Sequence, residues 1–270
     1  MNATRHRRAC VLAFHRITDR LEQPHDVRWS TFREIVETVL RSGRKVETRL
    51  EPDVTRPATA ILTFDDGTRD HFEIAQELAA KRLPAVFFLP TAALGEQGHV
   101  GSSEARQIAE LGHVIGSHAV RHKPLDTYTH DAILDELRWS KKALEDLIGS
   151  SIRYFAPPGG VWAPSLDQGL EQCGYTASRS MRWGMHSAQA YRWAVPVIPV
   201  TELTFSLGWV SFALHSDRLP LAMRTVGVAK DLLRPRTRFL VSRLAHQRLP
   251  AVAVVAVTSS LSGLTEAWPL

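Results

Sequence analysis

The 270-residue chain is 44% hydrophobic and 23% charged, a balance that excludes a disordered polymer and leaves enough apolar surface for a full core. A formal net charge of +5 tilts the surface toward anions without identifying one. Two cysteines far apart, Cys10 and Cys173, form neither a disulfide framework nor a thiolate metal site.

In chain order, Cys10 to Phe14 reads as a first buried strand, and a helix from Thr31 to Arg41, capped by Ser30, stops at Gly43. Ala58 to Phe64 is a second strand, closed by the turn residues Asp65-Asp66-Gly67. Helix Asp70–Ala80, strand Ala85–Leu89, helix Ser102–Leu111 and a brief strand His113–Gly116 follow. Apolar residues at Leu134, Leu137, Leu144, Leu147 and Ile148 share one face of a helix over 131–148 that Gly149 ends. Ile152 to Phe155 is another strand, broken by Pro157-Pro158-Gly159-Gly160. A helix from Ala163 to Gln172 and a strand from Val195 to Val200 complete the alternation.

Strands alternating with amphipathic helices predict an α/β fold, with β/α units around a parallel sheet or barrel over residues 9–200. Beyond 200 the register is lost. Residues 201–270 are expected to be an extension of uncertain order, largely helical and basic over 218–247. Arg5, Arg7 and Arg8 at one end, and seven Lys/Arg within 218–243 at the other, hold much of the positive excess. Neither cluster has interleaved aromatics, so nucleic acid is not an expected partner, and 218–243 is a candidate for peripheral contact with an anionic surface. Ala9 to Phe14 is too short for a signal-peptide core, and 251–257 falls far below the roughly 18 to 20 residues of a bilayer span. A cytoplasmic location is therefore expected. The oligomeric state is open.

Two strings carry chemistry: Thr63-Phe64-Asp65-Asp66-Gly67 after an apolar run, and Ser117-His118-x-x-x-His122 after a later strand. Alone, the first is a plain turn and the second an ordinary pair of imidazoles. Together, at the C-terminal ends of parallel strands where functional side chains gather, they offer one carboxylate and two imidazoles to a divalent ion. A second carboxylate stands beside them.

On these strings, with Arg153-Tyr154-Phe155-Ala156-Pro157-Pro158-Gly159, the sequence resembles the polysaccharide deacetylase family, carbohydrate esterase family four. Phe14-His15-Arg16-Ile17 and Pro84 to Leu89 are lesser likenesses. The resemblance implies a distorted (β/α) barrel of about seven strands, one divalent ion (zinc foremost, cobalt or nickel as alternatives), and hydrolysis of an N-acetyl group on an amino sugar, sugar nucleotide or glycolipid precursor. Carried over by position, Asp66, His118 and His122 hold the ion and Asp65 is the general base. Such an ion polarises the carbonyl and lowers the pKa of bound water toward 7. It also neutralises Asp66, which leaves Asp65 ionised at neutral pH.

Many family members place an arginine before the Pro-Pro step to orient the base; this chain has Ala156, with Arg153 three residues earlier as an uncertain substitute. The family's late Leu-x-His, which protonates the leaving amine, points to Leu214-His215, with His186 and His15 as rivals. Arg153, Pro157, Pro158 and Trp162 are the expected substrate contacts, and Trp183 is a further ring able to stack on a sugar. Two other readings of the same residues are a hydrolase of a non-sugar linear or cyclic amide and a catalytically silent metal-binding homologue.

Overall fold

The computed structural model describes residues 8–51, 58–187, 190–216 and 218–232. Arg5, Arg7 and everything beyond 232, including most of the expected basic stretch, lie outside them.

Eight parallel strands form the sheet: β1 (Cys10–Phe14), β2 (Lys45–Val46), β3 (Thr59–Phe64), β4 (Ala85–Leu89), β5 (Val114–Ser117), β6 (Tyr154–Phe155), β7 (Ala177–Trp183) and β8 (Val195–Pro199). Seven of them close into a ring in the order β1, β3, β4, β5, β6, β7, β8, with β8 returning to β1 through Leu12 and Ile198. The two-residue β2 pairs with β3. This is the distorted seven-strand barrel the sequence predicts.

Its helices are α1 (Trp29–Arg41), α2 (Asp70–Ala80), α3 (Ser102–Glu110), α4 (His130–Ile148) and α5 (Leu166–Gln172), followed by α6 (Glu202–Ser206), α7 (Trp209–Ser216) and α8 (Leu221–Leu232). Ser30 is not the cap of α1, which begins a residue earlier with Arg28 at its N-cap. In α4 the Thr129 side chain accepts from the Ala132 N–H, and Gly149 closes the helix at φ +73°, the left-handed conformation a helix stop favours.

Side chains alternate across each strand, and the two faces have separate cores. Cys10, Leu12 and Phe14 of β1, Ala60, Leu62 and Phe64 of β3, and Ala85, Phe87 and Leu89 of β4 pack outward against the helices. Val11, Ala13, Ile61, Val86 and Phe88 fill the barrel with Tyr154, Ala177, Val195 and Val197. Gly116 is small for that filling, because a Cβ there would come within 2.5 Å of the Phe88 ring. The same period carries beyond Ile61 and Thr63 to Asp65, which faces the interior at the C-terminal mouth. Arg179, two residues after Ala177, faces it from β7.

Helices α6 and α7 pack on α1, and α8 packs on β7. Buried Arg44 donates to the Leu214 and Ala213 carbonyls of α7 and to those of Arg8 and Thr59 at the barrel's opposite end. Among the described residues, no helix is long and apolar enough to cross a membrane.

Candidate active site

The mouth gathers four of the expected residues. Oδ1 of Asp66 lies 2.9 Å from Nε2 of His122 and 3.3 Å from Nε2 of His118, and one ligand atom from each residue falls within 4.8 Å of the others. Tetrahedral ions bound at about 2.0 Å hold their ligand atoms about 3.3 Å apart. Strand β5 delivers His118, and a tight loop, not a helical turn, delivers His122. Asp66, Ala119 and His122 all take positive φ, at +77°, +63° and +52°, a conformation costly for non-glycine residues and concentrated at functional sites.

The loop is held from α4. Glu136, 1% exposed, accepts the Val120 N–H at 2.7 Å, the Arg121 N–H at 3.1 Å and Arg121 Nε. His118 Nδ1 donates to the Ala156 carbonyl at 2.6 Å. In the neutral ring this puts the lone pair on Nε2. That atom is buried with no hydrogen-bond partner among the described residues, and it faces a carboxylate oxygen. A nitrogen lone pair and a carboxylate converging on one point fit a cation between them. Burial raises the Asp66 pKa, but the adjacent His118 and His122 imidazoles outweigh it and hold the carboxyl far below its usual range. The same contact, with Asp66 foremost, lifts His122 above its ordinary value.

Asp65 is 2% exposed. Its Oδ2 pairs with Nη2 of Arg179 and lies 3.7 Å from Nε2 of His15. Oδ1 is buried with no hydrogen-bond partner among the described residues. Burial pushes the Asp65 pKa up, yet Arg179, then His15 and His118, pull harder and keep it ionised. Arg179 takes the place of the arginine missing before Pro157, one strand along the ring. Sequence reading missed it because Ala-Ser-Arg-Ser-Met-Arg-Trp has no apolar run to mark β7; the lack of an arginine at Ala156 was the available signal.

His15 follows β1 and lines the cavity. Its carbonyl receives His71 Nε2 at 3.0 Å, and the Ile17 N–H donates to Asp70 Oδ2 at 2.8 Å. The ring sits 4.4 Å from that of His25. Burial, opposed by Asp66 and Asp65, pulls the His15 imidazole down to about 4.

Four expectations need correction. His215 does not reach the mouth: it lies on the exposed side of α7, where Nδ1 donates to the Ser211 carbonyl of its own helix. Arg153 precedes β6, so it sits at the end of the strand remote from the mouth, exposed and 5.2 Å over the Tyr154 ring. Trp162 is turned toward α5, its Nε1 donating to Asp167 at 3.1 Å. Pro157 and Trp183 line the cavity, whereas Pro158 and Trp162 are not among its lining residues. His186 is buried beside the Ala9 backbone, with which it exchanges main-chain hydrogen bonds.

Fold and cluster together define a parallel β/α barrel protein with a candidate cation site at its C-terminal mouth. The polysaccharide deacetylase family model matches residues 53–178, and over that stretch the chain is similar to that family. It is 27% identical over 124 residues to the peptidoglycan-N-acetylmuramic acid deacetylase PdaA of Bacillus subtilis, covering 45% of this chain and 46% of that protein. It is 36% identical over 118 residues to a chitooligosaccharide deacetylase of Rhizobium leguminosarum bv. trifolii, covering 40% and 52%. The chain thus spans about half the length of these curated relatives. Among solved structures, IcaB from Ammonifex degensii superposes with a TM-score of 0.70 at 18% identity, over 78% of this chain and 98% of that one, which speaks to the fold alone.

Proposed function

We propose that the protein is a metal-dependent hydrolase that removes the N-acetyl group from an amino sugar or sugar conjugate. The observation that carries this reading is Asp65: an ionised, buried carboxylate with one oxygen tied to Arg179 and the other without a hydrogen-bond partner among the described residues, directly beside three candidate ligands. The deacetylases it is similar to support an acetylated sugar as substrate.

Asp66, His118 and His122 would hold a zinc-class ion, which when bound supplies Lewis acidity toward the amide carbonyl and the attacking water. The free Oδ1 of Asp65 accepts the proton of that water. Arg179 keeps Asp65 charged and fixes its orientation. His15, neutral at pH 7 and with Nε2 3.7 Å from the other oxygen of that carboxyl, Oδ2, carries the proton on to the departing nitrogen. The balance closes: hydroxide joins the acyl carbon, the C–N bond breaks, and the water's proton leaves on the amine.

The test is acetate release from N-acetylglucosamine conjugates by protein loaded with zinc or cobalt, alongside a panel of linear and cyclic non-sugar amides. Turnover confined to acetylated sugars, abolished by Asp65→Asn with one metal ion still bound per chain, is the expected result. Cleavage of the non-sugar amides alone, or full activity in Asp65→Asn, overturns the proposal.

A further inference from the structure

The cavity at the mouth, about 380 Å³, divides by chemistry around the ring. Its charged and imidazole groups come from the ends of β1, β3 and β5 and, for His25, from the loop between β1 and α1. The side across from them is built by Met181 and Trp183 of β7 with Leu203, Trp209 and Val226 of α6, α7 and α8. The hydroxyls on that side are engaged internally: Thr204 Oγ1 bonds Thr201 and the Pro199 carbonyl, and Thr201 Oγ1 accepts the Thr204 N–H. This wall is firmly seated. A Cβ on Gly227 would come within 2.9 Å of Trp183 Cβ, so α8 rests its backbone on that residue. Trp183 and Trp209 meet edge to face at 6.4 Å.

An acetyl group offers a single methyl to such a wall, and although one face of a sugar can stack on Trp183, the aliphatic Met181, Leu203 and Val226 offer its hydroxyls no partner, which is unfavourable when buried. We propose that this half of the cavity binds an alkyl chain of the substrate, four carbons or longer, so that the preferred substrate is an amphiphilic amino-sugar amide. The chain has two possible attachments, the glycosidic oxygen or the acyl group on nitrogen. This builds on the deacetylase reading only for where the amide sits.

The test uses calorimetric binding and initial rates with three probes, each below its micelle concentration: the methyl and the octyl glycoside of N-acetylglucosamine, and the methyl glycoside of N-octanoylglucosamine. Each methylene buried strengthens binding about fourfold, so one octyl-bearing probe should bind at least about tenfold tighter than the methyl N-acetyl reference, with a negative heat-capacity change. Which probe gains identifies the attachment. Leu203→Asn and Val226→Thr keep volume while adding polarity, and each should cut the gain severalfold with the thermal melt retained.

Equal binding of all three probes, or a gain untouched by both variants, overturns the inference. Release of acetate with no benefit from either chain removes the alkyl site and leaves the deacetylase. Tighter octyl binding without acetate release from any sugar does the reverse.

Discussion

Removing Arg179 should leave the general base stranded. Arg179 and Asp65 are 1% and 2% exposed, so solvent does little to screen their attraction. Two unit charges about 4 Å apart at an effective dielectric constant near 20 attract by about 4 kcal/mol. Breaking a buried pair from one side typically costs about 3–5 kcal/mol, out of roughly 5–15 for a whole domain. Arg179→Leu should therefore lose about 3–5 kcal/mol in urea unfolding at pH 7 in the presence of a chelator. Adding Asp65→Asn removes the stranded charge, and the double variant should recover half or more of the loss.

The loss in Arg179→Leu should also shrink as pH falls. With the guanidinium gone, burial pushes the folded-state pKa of Asp65 upward. The penalty is then full above that raised folded-state value and fades as pH drops from it to the unfolded value of about 3.9. A single and a double variant equally unstable, or a single-variant loss under about 1 kcal/mol, would refute the pairing as the source of the carboxylate's low pKa.

Other expectations follow from the same geometry. His15→Ala should lower kcat on an acetylated sugar by about 10²–10⁴-fold, the usual range for a lost acid–base group, whereas His215→Ala should match the parent in the same rate assay. Glu136→Gln should weaken metal affinity about 10–100-fold by loosening the His122 loop, read by competition against a chromogenic chelator. At the closed end of the barrel, Glu51 accepts from Tyr154 and Thr176, both at 2.8 Å. Burial raises the Glu51 pKa, but these bonds outweigh it and hold the carboxyl low; burial and then Glu51 push the Tyr154 phenol well above its ordinary value. Stability from Glu51 is thus present above about 4.3 and lost as pH falls, and that from Tyr154 is present below about 10 and lost as pH rises beyond it. Urea midpoints across pH should fall on both sides, with Glu51→Gln flattening both limbs.

The barrel was legible because its buried strands are short apolar runs, and because Asp65, Asp66, His118 and His122 sit where those runs end. What escaped notice was polar or short. The side chain of Arg179 is buried through the charge it pairs with and not through hydrophobicity, so no pattern of apolar residues betrays it. Helices α6 and α7, of five and eight residues, complete too few turns for a 3.6-residue period to stand out. His215 drew attention through Leu214-His215, a near match to the family's Leu-x-His, yet nothing in so short a string states which way its helix turns. His15 was visible, but its role depends on a 3.7 Å approach to Asp65 that only strand alignment creates.

The Arg44 contacts give the region after residue 200 a particular standing. Helix α7 starts at the mouth with Trp209, and its last carbonyls are gripped by Arg44 at the barrel floor. The apolar wall at one pole is therefore mechanically tied to an anchor at the other. Grafting this stretch from a relative with a different arginine network would be expected to change ligand preference and thermal endurance together, so the segment behaves as a stave of the cask and not as a detachable accessory.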